Sequence, residues 1–267
     1  MFVYLLMPDT QLNSEVLMDN MNSAYTLILG ASSTIGVAII KKLASSRPLV
    51  LHARNRNKLD EAIKDIRFMC TPIIWIHDLS DIDGIENQFL EFLKGQSIQV
   101  EAVIHCAAIL CVQPLKSLKL QTMTEAMNVN VLSFMLILKN LLGRNFREHL
   151  KSVVIISSNI SNRGAKAFSL YSSTKGALDS MMRSMAIEMA PRVRINSVLP
   201  GAIKTSMTEE IFENKELTDR MLRDYPLGFG YAEDIANTVE FLLSENARWI
   251  TGQQITVDGG RSINISG

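Results

Sequence analysis

From residue 25 onward, short unbroken apolar runs alternate with longer segments that are apolar on one side only. "YTLILG" (25–30), "PLVLHAR" (48–54), "TPIIWIHDL" (71–79), "VEAVIHCAA" (100–108), "KSVVIISS" (151–158), "RVRINSVLPG" (192–201) and "QQITVDGG" (253–260) read as seven strands. "TIGVAIIKKLASS" (34–46), "NKLDEAIKDIRFM" (57–69), "DIDGIENQFLEFLK" (81–94), a long region running to about 146, and 170–190 read as helices. A strand with one face in water alternates apolar and polar residues. These strands do not alternate, so both of their faces must be covered. Strands separated by helices pair in parallel through crossovers. The pattern predicts an α/β chain with a doubly wound, parallel, seven-stranded sheet and helices on both faces. No Pro/Gly-rich linker, internal repeat or low-complexity tract interrupts it, so a single domain is expected over 24–267, with 1–23 as an N-terminal extension outside the rhythm. Residues 202–230 form a long insertion after the sixth strand, on the side where open sheets bind ligands.

Composition excludes several functions. Lys+Arg and Asp+Glu both number 27, so no net basic field points to nucleic acid. The three cysteines, Cys70, Cys106 and Cys111, are odd in number and lack disulfide-framework spacing, and no Cys/His cluster has zinc spacing, so no metal is expected. The apolar start "MFVYLLM" has no basic flank, the first basic residue being Lys41, and no run is long enough to span a bilayer. A cytoplasmic protein with no nucleic-acid or membrane partner is expected.

"LILGASSTIGVAII" places Gly30 and Gly36 at the first strand-to-helix turn. There, residues without Cβ let backbone amides and a helix N-terminus meet a pyrophosphate. Gly30, Ser32, Ser33, Thr34, Ile35 and Gly36 are therefore candidate dinucleotide ligands. The second strand ends in Ala53-Arg54-Asn55-Arg56. A carboxylate at this point would hold the ribose hydroxyl of NAD, whereas an arginine accepts the 2′-phosphate of NADP. With no carboxylate present, Arg54 and Asn55 favour NADP(H) over NAD(H), against the plainer reading of a solvated basic turn. Asp78 and Leu79 end the third strand, where Asp78 either faces the adenine or caps a helix. In "SLYSSTKGALDSM", Tyr171 and Lys175 stand one helical turn apart on one face. A lysine cation there would favour the phenolate and bring the phenol toward working range. The bland alternative is a buried tyrosine beside a surface lysine.

Taken in order, "GASSTIG", "HDL", "HCAA", "MNVN", "VVIISS", "YSSTK", "INSVLPGAIKT" and "WITGQQITVDGG" resemble the short-chain dehydrogenase/reductase family, over about residues 24–262. The closest look is to its 3-oxoacyl-carrier-protein-reductase-like branch. The resemblance implies a Rossmann-type fold and an NADP(H)-dependent ketone/secondary-alcohol oxidoreductase acting on a small carbonyl or alcohol, as a homotetramer or homodimer. It implies a catalytic set of Asn130, Ser158, Tyr171 and Lys175. Tyr171 would be the general acid/base, and Lys175 would tune it and hold the nicotinamide ribose. Ser158, rather than its neighbour Ser157, would polarise the carbonyl, and Asn130 would hold a water in the proton relay or bond within a helix kink. Around the cofactor it implies Ala107, Pro200, Gly201, Ile203 and Thr205. The following segment would be a mobile substrate-covering helix, its Met207, Ile211, Phe212, Met221 and Leu222 either lining the pocket or packing on the body.

The chain departs from the family pattern in places. Leu29 replaces a threonine and Thr34 a glycine in the turn, where the Thr34 hydroxyl would bond a phosphate or cap the helix. His105-Cys106-Ala107-Ala108 replaces Asn-Asn-Ala-Gly; His105 and Cys106 read as structural. These departures motivate a second reading, a catalytically weak NADP(H)-binding sensor or scaffold. A 3-oxoacyl thioester and a sugar or polyol both remain open as substrates, although the acidic residues of the 202–230 segment speak against an acidic carrier docking there.

Overall fold

Among the described residues seven strands form: β1 (Tyr25–Leu29), β2 (Leu49–Ala53), β3 (Ile73–Ile76), β4 (Val100–His105), β5 (Ser152–Ile156), β6 (Arg194–Pro200) and β7 (Gln254–Val257). They make one sheet in the order β3-β2-β1-β4-β5-β6-β7, every neighbouring pair parallel. This is a computed structural model, and it describes residues 24–205 and 207–264; the expected extension 1–23 lies outside the described residues. From β1 in the middle of the sheet the chain winds outward to β3, then returns to lay β4 beside β1. The crossovers leave β1 and β4 in opposite directions, which opens a crevice at their carboxyl ends.

The helices are α1 (Thr34–Leu43), α2 (Arg56–Ile63), α3 (Ile82–Gly95), α4 (Leu120–Met127), α5 (Ser133–Leu141), α6 (Ser169–Met189), α7 (Glu209–Glu213), α8 (Lys215–Leu222) and α9 (Ala232–Leu243). Two cores explain the unbroken apolar strands. Leu27, Val103 and Val153 join Phe89, Phe134 and Met182 on the side of α3, α5 and α6. Their neighbours Ile28, Ile104 and Val154 join Ile39, Ile40, Ile235 and Val239 on the side of α1 and α9. Successive strand residues thus feed opposite layers.

Local structure departs from the sequence pattern in three places. The second helix ends at Ile63 instead of running to 69. Ile66 and Phe68 still reach the α1-side core, and the Met69 amide bonds the Ala44 carbonyl at 2.8 Å, so a turn satisfies the apolar spacing without a helix. The long helical region through 146 is broken into α4 and α5 by a π-helical turn over Asn128–Leu132. Single π turns inside α-helices are frequent at functional sites. The segment expected to form one substrate-covering helix is two short helices, α7 and α8, parted at Asn214.

Candidate active site

The β1–α1 turn is held from within. Gly30 has φ +81°, and a Cβ there would lie 2.6 Å from the Ala107 nitrogen, so the tips of β1 and β4 touch. Ser33 caps α1: its hydroxyl donates to the Gly30 carbonyl at 2.8 Å and accepts the Gly36 amide at 3.1 Å. The capping role open to Thr34 therefore falls to its neighbour. His52 ties the turn to β2, its Nδ1 accepting the Gly30 amide at 3.2 Å and its Nε2 donating to the His77 carbonyl at 3.0 Å. Burial lowers this imidazole to about 4, so it stays neutral and keeps both bonds. At Gly36 a Cβ would meet the carbonyl oxygens of Gly30 and Ala31 at 2.5 and 2.9 Å. Backbone cannot rotate aside, so Gly36→Ala is expected to cost about 1–3 kcal/mol of stability. It should also weaken the binding of a nicotinamide dinucleotide about tenfold or more, because the amides expected to meet a pyrophosphate shift with the turn. Melting curves and a cofactor titration check both effects.

At the second-strand end, the Arg54 side chain is 71 % exposed and 4.0 Å from Asp78 Oδ2. Asn55 caps α2, its side-chain oxygen accepting the Lys58 amide at 3.0 Å. Arg56 turns away onto Asp60, at 2.8 Å. Asp78 Oδ1 accepts from the Ser80 amide and hydroxyl, at 3.0 and 2.8 Å. Burial pushes its carboxyl up, but the Ser80 bonds and the Arg54 charge outweigh this and hold it below the ordinary value.

At the β4–β5 end the two serines separate. Ser157 is buried and its hydroxyl donates to Asp179 at 2.8 Å, whereas Ser158 opens the turn after β5, accepting the Ile160 amide at 3.3 Å. Both line the cleft. Tyr171 and Lys175 stack on α6, the Lys175 nitrogen 5.6 Å from the phenol ring centre and donating to the Ile156 carbonyl at 2.8 Å. Burial raises the phenol to about 12 and lowers the ammonium to about 8. Desolvation governs both shifts, so the phenol moves away from the working range that their spacing suggested.

Asn130 sits in the π-helical turn as a staple. Its side chain accepts the Ile109 amide at 2.7 Å and donates to the Ile109 carbonyl at 3.1 Å and to Thr174 at 3.0 Å. Its carbonyl accepts from His105 Nε2 at 3.0 Å. His105 stacks on Phe134, with ring centres 4.3 Å apart, and burial lowers it to about 3, so it is a neutral core residue. Burial pushes the Cys106 thiol up to about 12, which leaves it protonated and inert.

After β6, Gly201 lies against β7's end: a Cβ would come within 2.8 Å of Asp258 Cα. Ile203 makes an isolated bridge with Gly230, and the Thr205 amide bonds the Thr208 hydroxyl at 2.9 Å. Met207 and Met221 reach the cleft. Phe212 packs instead on Phe229, ring centres 5.0 Å apart, and Leu222 is exposed; the side chain of Ile211 lies outside the described residues.

One cleft of about 450 Å³ gathers Gly30, Ser32, Ser33, Thr34, Ile35, Arg54, Asn55, Asp78, Leu79, Ala107, Ser158, Tyr171, Lys175, Pro200, Gly201, Ile203 and Thr205. Gly36 and Asn130 brace it from behind. It also includes Lys58, Phe168, Ile160 and Tyr225, which the sequence reading missed. Lys58 had a signal, the basic run "RNRNK"; the others lack one, since their place depends on loops folding back. Among the described residues no group of three or more His, Cys, Asp or Glu is placed to hold a metal, and no helix is long and apolar enough to cross a membrane.

A family model described as enoyl-(acyl carrier protein) reductase matches residues 30–262. L-xylulose reductase from Bos taurus is 30 % identical over 241 residues, covering 88 % of this chain and 94 % of that protein. A 3-oxoacyl-[acyl-carrier-protein] reductase from Staphylococcus aureus (strain Mu50 / ATCC 700699) is 29 % identical, covering 88 % and 96 %. The solved structure of a 4-hydroxyisoleucine dehydrogenase complexed with NADH is 28 % identical with a TM-score of 0.82, covering 90 % of this chain and 99 % of that one.

Proposed function

Because the chain belongs to the short-chain dehydrogenase/reductase family of oxidoreductases, we propose that it interconverts a ketone and a secondary alcohol with NADP(H). The observation that carries this reading is the shared cleft: Ser158, Tyr171 and Lys175 meet there with the glycine turn and the Arg54 end. The fit for a dinucleotide rests on the turn, where Gly30 and Gly36 leave no room for a Cβ and α1 presents its N-terminus.

Pro200, Gly201, Ile203 and Thr205 would hold the nicotinamide, which in its reduced form would supply the hydride. The Ser158 hydroxyl donates a hydrogen bond to the substrate oxygen. Tyr171 Oη gives that oxygen its proton as the carbon–oxygen double bond becomes single. Lys175 stabilises the phenolate left behind, and Asn130, behind the cleft, is assigned the water that returns a proton. The phenol, raised to about 12, holds its proton at neutral pH, so giving it up depends on a charge that favours the phenolate, the part this reading assigns to Lys175.

The preference for NADP(H) rests on Arg54 and Lys58, the cations lining the second-strand end of the cleft. Arg54→Ala combined with Lys58→Ala is expected to weaken NADPH binding about tenfold to a hundredfold and leave NADH binding nearly unchanged. Fluorescence titrations with both cofactors check this. A cytoplasmic homotetramer or homodimer completes the reading, supported by the free thiols Cys70, Cys106 and Cys111 and by the exposed Leu120, Ile187 and Trp249.

The test follows NADPH consumption with small ketones, keto-sugars, a 3-oxoacyl thioester and an enoyl thioester, with NADH as control. Turnover of a carbonyl with NADPH preferred supports the proposal. Tight NADPH binding without turnover favours the sensor reading.

A further inference from the structure

Beyond Ser158 and Tyr171 the cleft is walled by apolar side chains. Ile109, Leu110, Ile160, Phe168, Met207 and Met221 line it. The Phe168 ring stands edge-on to the Tyr171 ring, centres 6.4 Å apart.

Several polar groups at this end already bond within the protein, which leaves the Tyr225 hydroxyl hydrogen and part of the Asn159 amide for a ligand. Asn159 Nδ2 donates to Asp258 at 3.2 Å, and the Thr208 hydroxyl to the Ile203 carbonyl at 2.7 Å. Tyr225 Oη accepts the Ala202 amide at 2.9 Å, and the backbone of Ile109 is taken up by the Asn130 side chain. Among the described lining residues, the charged side chains are Arg54, Lys58 and Asp78 at the far end, and Lys175, buried on the Ile156 carbonyl. A substrate hydroxyl or carboxylate here would give up water and find few partners. An alkyl or aryl flank would meet surface of its own kind.

Resting on the reductase reading above, we propose that the substrate is an uncharged ketone with apolar flanks, or the alcohol it forms, and that polyhydroxylated ketoses are poor substrates.

Steady-state kinetics with NADPH and the methyl ketones from 2-butanone to 2-octanone, beside L-xylulose and D-ribulose, test this. The expected result is kcat/KM rising about fourfold per methylene, with the ketoses about a hundredfold or more below the best ketone. Met221→Gln is expected to flatten the series. A flat series, or a ketose that equals the ketones, overturns the proposal. Should no carbonyl turn over, the reductase reading fails, and the apolar site is judged by calorimetry. 2-Octanone and L-xylulose would be titrated into the protein, alone and with NADPH. Binding of the ketone that Met221→Gln weakens upholds the site; binding of neither, or tighter binding of the sugar, overturns it.

Discussion

Tyr171→Phe is expected to lower kcat by about 10³-fold, within the 10²–10⁴ range of general acid catalysis, while NADPH affinity and Tm stay near the parent's. On the proposed mechanism the substitution removes only the proton donor. Among the described residues no hydrogen bond is recorded for the phenol oxygen, so its loss orphans no protein group. The ring keeps its edge contact with Phe168 and its place 5.6 Å from the Lys175 nitrogen. Single-turnover kinetics, a cofactor titration and a melting curve on one preparation separate these effects. A variant with undiminished turnover would remove Tyr171 from the mechanism, and one that fails to melt cooperatively would show the hydroxyl to be structural.

Lys175→Met is expected to abolish activity and yet stabilise the protein at pH 7. Burial lowers this ammonium from 10.5 to about 8, a value that already includes the opposing influence of Cys106 and Asp179. At 1.36 kcal/mol per pH unit, that lowering is a folding cost of about 3 kcal/mol. The unfolded chain holds the proton more tightly than the folded one. The cost is therefore fully present below about pH 8, shrinks as pH rises, and vanishes near the ordinary value of 10.5. Methionine also strands the Ile156 carbonyl, now bonded at 2.8 Å, which gives back about 1 kcal/mol. The net gain of about 2 kcal/mol corresponds to a Tm roughly 4–8 °C higher at neutral pH. Melting curves between pH 7 and 10.5 should show the gain over the parent falling away. A Tm below the parent's at pH 7, or a gain that does not shrink, would mean that the lysine is accommodated more easily than its burial implies. The same titration predicts that reduction by the parent declines above about pH 8, where Lys175 loses its charge.

Much of the fold was legible because its signals are local. Continuous runs such as "LVLHA" and "SVVII" announce strands buried on both sides, and the sheet buries every residue of both. The run "DIRFM" misled because an i, i+3 apolar spacing in Ile63 and Ile66 is satisfied equally by a helix and by a turn. The break at Asn128–Leu132 had no local mark, since "NVNVL" suits a helix until Asn130 finds Ile109 and Thr174. Phe168, Ile160 and Tyr225 lie in the cleft only because the β5–α6 and β6–α9 loops fold over the same sheet edge.

The sequence by itself determined the parallel seven-stranded sheet, the glycine turn between β1 and α1, and the one-face pairing of Tyr171 with Lys175. Each of these follows from periodicity or from backbone freedom within a few residues. Tertiary structure alone decided that Ser157 turns inward to Asp179, that Ser33 rather than Thr34 caps α1, and that desolvation moves Tyr171 and Lys175 away from each other in pKa. Those outcomes depend on burial and on partners far along the chain, quantities that exist only once the layers have closed around the sheet.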